Sequence, residues 1–304
     1  MIESTILTII TAATPLLIAA LGELVVERSG VLNLGVEGMM IIGAVAAFAV
    51  AQTTGSPYAG MLAAIAAGVA LAALFALMTV WLATNQVASG LALTILGLGL
   101  AGFIGEAFVG MPGVKLEPVT VPLLSDLPVV GRIVFAQDAI FYLSILLTAA
   151  VIWFLFRARS GLQLRAVGNN PAAADAVGLH VRRVRTAAVL FGGACAGLAG
   201  AQLTLVYTTQ WIEDVTAGRG WIALALVVFA SWRPLRLVAG AYLFGAVTIG
   251  QFHAQALGVA VPSQLLAALP YLATIVVLVL IARNRRFTIA NTPASLGQPY
   301  VPVR

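Results

Sequence analysis

The sequence predicts an all-α polytopic membrane protein with about 8–10 transmembrane helices, at least one of which is short or broken. Three observations support this fold class. Hydrophobic residues make up 61% of the chain and charged residues 9%, whereas a soluble domain carries about 25% charged residues. The apolar residues form long continuous runs, without the alternation of transmembrane β-strands. Because backbone polar groups in lipid must bond within their own segment, each run is predicted to be a helix.

Nine apolar runs follow one another along the chain, and most approach the about 20 residues that a spanning helix needs. The seventh run is short and is predicted to be a half-helix or a re-entrant segment. Met1–Thr5 contains no basic residue, so the first run is expected to be a retained span rather than a cleaved signal peptide. The runs are 5–26, 31–51, 58–83, 87–109, 139–156, 186–207, 220–232, 236–255 and 264–282.

The distribution of basic residues predicts that the N-terminus lies outside and the C-terminus in the cytoplasm. In that orientation 13 of the 16 lysines and arginines fall on the cytoplasmic side, as the positive-inside rule expects. Residues 1–290 are predicted to form a single transmembrane domain, and 291–304 a loose cytoplasmic tail. The inner basic residues are Arg28, Arg157, Arg159, Arg165, Arg182, Arg183, Arg185, Arg233, Arg236, Arg283, Arg285, Arg286 and Arg304, and the outer ones are Lys115, Arg132 and Arg219.

The composition also argues against several kinds of site. The arginines lie in short clusters between apolar runs, so no nucleic-acid partner is predicted. Cys195 is the single cysteine and the two histidines are far apart in sequence, so no metal site is predicted. Lys115 lacks the Gly-Lys-Ser/Thr setting of a phosphate-binding loop, so this chain is predicted to be a non-catalytic subunit without a cofactor.

Glycines inside two apolar runs are predicted to allow close helix packing. The segment GLGLAG, 97–102, matches a dinucleotide-binding pattern in letters only, since it lies within an apolar run and not after a strand. Gly193, Gly197 and Gly200 form a small-residue face on the sixth run.

A compact polar segment, RAVGNNPAAADAVGLHVRRVR, occupies residues 165–185 between two apolar runs. Asn170 can cap a helix that begins at Pro171, the alanines after it favour helix, and Gly178 stands where a helix stop is expected. The sequence therefore predicts a two-turn helix over 171–177, whose small side chains suit a knob that enters a groove of a soluble partner. The alternative is an amphipathic loop whose arginines bind anionic headgroups of membrane lipid.

Acidic residues inside the membrane are candidates for a transport path. A charge buried in the bilayer usually faces a cavity or a partner, so Glu37 and Glu106 have two interpretations. Each either lies on a solute path or is hydrogen-bonded to a neighbouring helix. Glu37 lies between Gly35 and Gly38, where the helix is expected to be broken. If both acids relay an ion, the chain would be a secondary transporter driven by an ion gradient.

Neutral polar and aromatic residues add further candidates for the path. Asn33, Ser89 and Thr94 could bond a polar solute or a neighbouring helix. Trp211 and Trp221 flank a predicted outer loop. They are expected either to lie in an interfacial aromatic belt or to stack on a planar solute at the outer mouth.

Several of these segments together resemble a known family. GNNPAAADAVGL resembles the cytoplasmic coupling helix of ABC-importer permeases of the ribose, branched-chain amino acid and nucleoside branch, with Gly168, Asn170, Ala173, Ala174 and Gly178 at its pattern positions. Segments 30–45, 218–230 and 261–280 are similar to the family's early and late regions. Asn-Leu-Gly-Val-Glu-Gly at 33–38 and Ala-Ser-Trp-Arg-Pro at 230–234 look most like nucleoside-type permeases.

The resemblance implies a permease subunit of an ATP-driven importer of nucleosides or similar small polar solutes, with a simple sugar such as ribose as the alternative. It implies a multi-pass protein of the bacterial inner membrane. Its partners would be a second permease subunit, paralogous or a second copy, a cytoplasmic ABC ATPase that binds ATP and Mg²⁺, and an extracytoplasmic solute-binding protein. The residues implied in coupling to the ATPase are Gly168, Asn169, Asn170, Pro171, Ala172, Ala173, Ala174, Asp175, Gly178 and Val181.

Overall fold

The computed structural model describes residues 2–120, 125, 130–256, 261–282 and 291–302, and these are mostly helical. α3 and α9 each continue into a π-helical turn, at Leu77–Trp81 and Leu203–Tyr207, and α4 continues into a 3₁₀ turn at Glu106–Phe108. The helices are α1 Ile2–Arg28, α2 Val36–Thr54, α3 Pro57–Ala76, α4 Gln86–Gly105, α5 Val130–Phe135, α6 Ala139–Arg157, α7 Arg159–Asn169, α8 Pro171–Ala176, α9 Val181–Gln202, α10 Arg219–Phe229, α11 Pro234–Ala256 and α12 Ser263–Ala282.

Seven helical stretches in the described part of the chain are long and apolar enough to cross a membrane, which confirms an all-α polytopic membrane protein. Helix α10 has 11 residues, or about 17 Å at 1.5 Å per residue, which is too short for a bilayer core of about 30 Å. The predicted short seventh run is therefore confirmed. The stretches are Glu3–Arg28, Val36–Thr54, Pro57–Trp81, Gln86–Phe108, Ala139–Arg157, Val181–Tyr207 and Pro234–Ala256.

Two further features concern the connection between α4 and α6 and the orientation of the chain. Residues 110–137, between α4 and α6, contain a short antiparallel pairing of β1, Val119–Thr120, with β2, Ala136–Gln137. The orientation of the termini stays a prediction. Four arginines that support it, Arg283, Arg285, Arg286 and Arg304, lie outside the described residues.

Local capping determines where several of the spanning helices begin. Ser56, Asn85 and Asp138 each accept a hydrogen bond from a backbone N–H three residues later, at 3.4, 3.0 and 3.0 Å. Such a side chain satisfies one of the N–H groups left free at a helix start. Asp138 is buried at the start of α6, and burial raises the pKa of its carboxyl above the ordinary value.

The core lies around α9, which packs on α1, α2 and α3 through small residues. A Cβ on Gly197 would overlap the backbone of α3 at Ala64, and one on Gly200 would overlap the backbone of α2 at Met40. The small-residue face predicted on the sixth run is therefore confirmed as a packing face. In the GLGLAG segment the prediction holds for Gly97, where an added Cβ would lie 2.6 Å from the Gly38 Cα.

The C-terminal segment 291–302 is packed against the body of the protein, whereas the sequence predicted a loose tail. Ser295 is buried, and both its backbone N and its Oγ donate to the carbonyl of Gly168, at 3.0 and 2.7 Å. The Gly297 N–H donates to the Gly30 carbonyl at 3.3 Å. These backbone partners carry no sequence pattern, which is why composition alone favoured disorder.

Candidate functional site

The segment between α1 and α2 is not helical and runs along α4, from the first residue of α4 toward its interior turns. The Leu32 N–H donates to Gln86 Oε1 at 2.7 Å, at the first residue of α4. Two residues later, the Leu34 carbonyl accepts from Thr94 Oγ1 at 3.0 Å. Thr94 lies eight residues into α4, about 12 Å from its start, so α2 begins beside the first turns of α4 rather than level with its end. The helix break predicted around Glu37 is thus the start of α2.

Glu37 joins the start of α2 to the start of α10. Its Oε1 accepts from Thr216 Oγ1 at 2.5 Å and from the Gly218 N–H at 2.9 Å, and its Oε2 accepts from the Gly220 N–H at 2.6 Å. The first N–H groups of a helix have no partner within the helix and favour a negative charge. Glu37 therefore caps α10, as in the interpretation of an acid bonded to a neighbouring helix.

A cavity of about 630 Å³ opens beside this junction of two helix starts. Its volume falls in the range of about 300–1,000 Å³ typical of small-molecule sites. The Trp221 side chain is 46% exposed, and Asp214, exposed and with φ of +55°, lies on the preceding loop. The lining residues are Glu37, Leu98, Asp214, Ala217, Gly218, Trp221, Ile222, Ala225 and Ile275.

The cavity combines an indole face, a carboxylate and backbone groups. An indole can stack on a planar ring, and a carboxylate accepts from hydroxyl or N–H groups. Of the residues predicted for the transport path, the structure brings Glu37 and Trp221 together here. Asp214 was missed, because an acid in an apparent outer loop gave no signal that the loop folds back into the membrane.

Asn33 and Thr94 lie close to the cavity but do not line it. Asn33 is fully buried, donates to Glu23 Oε1 at 2.8 Å and accepts from the Gly35 N–H at 3.1 Å. Thr94 is buried and bonded to Leu34. Both side chains therefore hold the non-helical segment in place. Ser89 lies nearer the start of α4 and shares a 2.9 Å hydrogen bond with Thr84.

Trp211 corrects another expectation. Its side chain is 2% exposed and packs against Gly105 at the end of α4, so it lies neither in a lipid-facing belt nor on an open stacking surface. The reason is that the loop before α10 is held down, with the Gly113 N–H donating to the Thr209 carbonyl at 3.2 Å. Glu106 is exposed at the end of α4 and is not among the residues that line the cavity.

The predicted two-turn helix is confirmed as α8 in the second candidate region, on the side where the arginines cluster. Asn170 Oδ1 accepts from the Ala173 N–H at 3.0 Å, and Pro171 occupies the first helical position. Gly178 has φ of +87°, and the Leu179 N–H closes the helix on the Ala174 carbonyl at 3.0 Å. This is the left-handed stop for which glycine is favoured.

The residues predicted for coupling divide into two groups. Gly168, Ala174 and Val181 are buried and hold α8 against its surroundings, so they present no surface to a partner. Pro171 is half-buried, and the others are exposed: Asn169, Asn170, Ala172, Ala173, Asp175 and Gly178. Val177, 77% exposed, extends this small-residue face.

Charged and aromatic groups surround α8. The Arg182 guanidinium lies 5.7 Å from the centre of the Trp81 ring. Tyr300 of the tail packs on the cluster of Val167, Ala174 and Val181, and its hydroxyl lies near the Asp175 carboxylate. Burial, followed by the Asp175 bond and charge, raises the pKa of Tyr300, so its hydroxyl keeps its proton at neutral pH.

The chain is similar over nearly its whole length to proteins of one family. The model for the branched-chain amino acid transport system permease component matches residues 5–282. The chain is 42% identical to a candidate glucose ABC transporter permease of Haloferax volcanii, over 96% of this chain and 95% of that protein. It is 33% identical to a nucleoside ABC transporter permease of Lactococcus lactis, over 88% and 89%. It is also 33% identical to a guanosine ABC transporter permease of Bacillus subtilis, over 97% and 97%. No solved structure matches the chain.

The structure and the family match agree on the class of protein. The apolar helices make a multi-pass membrane protein, and the capped helix α8 has the local form predicted for a coupling helix. The family match covers all seven spanning stretches of the described chain except Glu3 and Ser4, at the start of the first one. The chain therefore belongs to the branched-chain amino acid transport system permease component family and is a membrane-spanning permease of an ABC importer.

Proposed function

We propose that this permease forms part of the path for nucleosides or similar small polar solutes in an ATP-driven importer. The observation that carries the proposal is the cavity of about 630 Å³ beside the starts of α2 and α10. Discontinuous helices that start near the bilayer midplane are a common way to build a solute site. Two of the relatives described above are named for nucleosides or guanosine.

Trp221 and Asp214 are the residues proposed to contact solute. Stacking of a base on an aromatic side chain is worth about 1–3 kcal/mol. The Asp214 carboxylate would accept hydrogen bonds from ribose hydroxyls or from base N–H groups. Glu37 has a different role, because its oxygens already hold the start of α10. It shapes the cavity and does not have to bind the solute.

A simple sugar is the second candidate solute. It is favoured by the 42% identity to a protein named for glucose. A sugar offers hydroxyl groups to the same carboxylate but no planar base to the indole. Competition separates the two candidates, because a nucleoside site should discriminate strongly against a ligand that lacks the base.

The energy is proposed to come from a separate ATPase that binds ATP and Mg²⁺ and docks on the exposed face of α8. A second permease, paralogous or a second copy, would complete the path, and a solute-binding protein would deliver solute from outside. Support comes from the small side chains and polar caps of α8, which leave a narrow, shape-dependent contact surface. The absence of a phosphate-binding sequence in this chain agrees with that division of labour.

The test is uptake by the assembled transporter in liposomes, with ATP enclosed on the side of α8. We expect saturable uptake of labelled nucleoside that requires ATP, survives an uncoupler and is inhibited by unlabelled nucleosides more than by glucose. Uptake that collapses with the uncoupler and ignores ATP would instead indicate a secondary transporter. Inhibition by glucose but not by nucleosides would assign the sugar as solute.

A further inference from the structure

The C-terminal segment 291–302, here called the strap, lies between the two candidate regions. It contacts the coupling side through Tyr300, whose side chain packs on the cluster that contains Ala174 and whose hydroxyl lies near the Asp175 carboxylate. It also holds the end of α7, directly before α8, because both hydrogen-bond donors of Ser295 meet the Gly168 carbonyl. The last carbonyls of a helix lack partners within the helix, so this contact satisfies a group that would otherwise be open.

The other side of the strap holds the segment that leads to the cavity. The Gly297 N–H donates to the Gly30 carbonyl at 3.3 Å, and the Gln298 carbonyl accepts from Gln86 Nε2 at 3.4 Å. Gln86 in turn holds Leu32. Residues 30–32 continue directly into the start of α2 and Glu37. The strap therefore contacts both the coupling side, through Ser295 and Tyr300, and the base of the transport path, through Gly297 and Gln298.

Arg185 joins the two sides from within. It is buried in the first turns of α9, and its guanidinium donates to the Ser29 carbonyl at 3.2 Å, the Gln298 carbonyl at 3.1 Å and Ser295 Oγ at 3.1 Å. Ser295 Oγ uses its own proton on Gly168 and accepts from Arg185, so the bonds form one chain. A planar guanidinium offers several donors in fixed directions, which the single ammonium of lysine does not reproduce.

We propose that the strap and Arg185 transmit the movement of α8 to segment 29–35, so that Arg185, Ser295 and Tyr300 are positioning residues for transport. The inference rests on the proposed docking of an ATPase on α8. A purely structural role would tie down the tail and stabilise the chain. If the strap also transmits movement, the amount of solute taken up per ATP hydrolysed depends on the strap.

The first experiment uses the complete transporter in liposomes and measures solute uptake and ATP hydrolysis together. Ser295→Ala removes the hydroxyl that connects Arg185 to Gly168, and Arg185→Lys keeps the charge but loses the fork of donors. We expect uptake per ATP to fall at least fivefold in both variants. ATP hydrolysis and the amount of assembled complex should stay within twofold. Gln298→Ala is the matched control, because that residue contributes its backbone carbonyl and its side chain is exposed.

A deletion provides a second test of the strap. Removal of residues 291–304 leaves the bond from Arg185 to Ser29 in place and should uncouple transport to the same degree as Ser295→Ala. Two results would overturn the proposal. In the first, uptake and ATP hydrolysis fall together, in parallel with the amount of assembled complex. In the second, uptake per ATP hydrolysed is unchanged in both Ser295→Ala and the deletion. Ala173→Trp, on the exposed face of α8, separates this outcome from failure of the proposed function. If that variant blocks uptake while the strap variants remain coupled, α8 is the docking site and the strap is only structural. If Ala173→Trp also has no effect, the docking assignment itself is wrong.

Discussion

The cavity junction and the α8 region are built in opposite ways. The junction depends on bonds between residues far apart in sequence, such as Glu37 with Gly218 and Gly220, and these groups are largely buried. Helix α8 depends on bonds within a few residues, such as Asn170 with Ala173, and most of its side chains are exposed. The junction is therefore suited to hold a fixed shape around a solute, and α8 to present a compact unit to a partner.

This difference determines how each region should respond to substitution. Loss of a buried partner leaves the groups around it unsatisfied, at a cost of about 1–3 kcal/mol each. An exposed contact surface contributes little to folding, so changing it should affect the interaction with a partner and leave the permease folded. Stability and transport should therefore fall together at the junction but separately at α8.

The largest effect is expected from Glu37→Ala. The change leaves the N–H groups of Gly218 and Gly220 without their acceptor inside the membrane, so we expect a loss of roughly 3 kcal/mol or more in stability and no measurable uptake. Thermal unfolding of the purified chain in detergent measures the first, and uptake in liposomes the second. Glu106→Ala is the control, since Glu106 is exposed, and should change neither. A variant of Glu37 that unfolds at the wild-type temperature would contradict the cap.

The next effect is expected from Asp175→Arg on α8. The substitution places a bulky cation on the exposed face and removes the partner of the Tyr300 hydroxyl. Uptake should fall at least a hundredfold while the unfolding temperature in detergent shifts little. Glu117→Arg makes the same charge change on an exposed acid outside the spanning helices and should transport normally. Equal losses in stability and uptake would mean that α8 is not a separate contact unit.

Trp221→Ala tests solute contact in the cavity and leaves the hydrogen bonds of Glu37 to the start of α10 in place. Loss of a stacking contact of about 1–3 kcal/mol predicts a rise in KM for nucleoside of about 5- to 150-fold, with the chain still folded. Trp153, on α6, is more exposed than Trp221 and does not line the cavity. Trp153→Ala is therefore the control and should leave KM unchanged. An unchanged KM in the Trp221 variant would place solute contact elsewhere.

The contrast also explains what could be predicted from sequence. The cap at Asn170, the start at Pro171 and the stop at Gly178 are local rules, and the structure has all three. The long spans follow from hydropathy, as does the short length of α10. The cavity could not be derived in that way. It exists because the loop before α10 turns back into the membrane toward Glu37, and nothing near Asp214 or Trp211 in sequence indicates that turn.

The smallest effect is expected where the two helices that carry the junction approach each other. An added Cβ on Gly97 would lie 2.6 Å from the Gly38 Cα, next to Glu37, whereas one on Gly99 would meet nothing within 4 Å. Gly97→Ala should therefore push α2 from α4 and cost about 1–3 kcal/mol. Gly99→Ala should be neutral or stabilise the helix by up to about 1 kcal/mol. Unfolding temperatures of the pair in one detergent give the comparison. If the two alanines have equal effects, α2 and α4 are not in close contact at the cavity, and Glu37 is not held in place from this side.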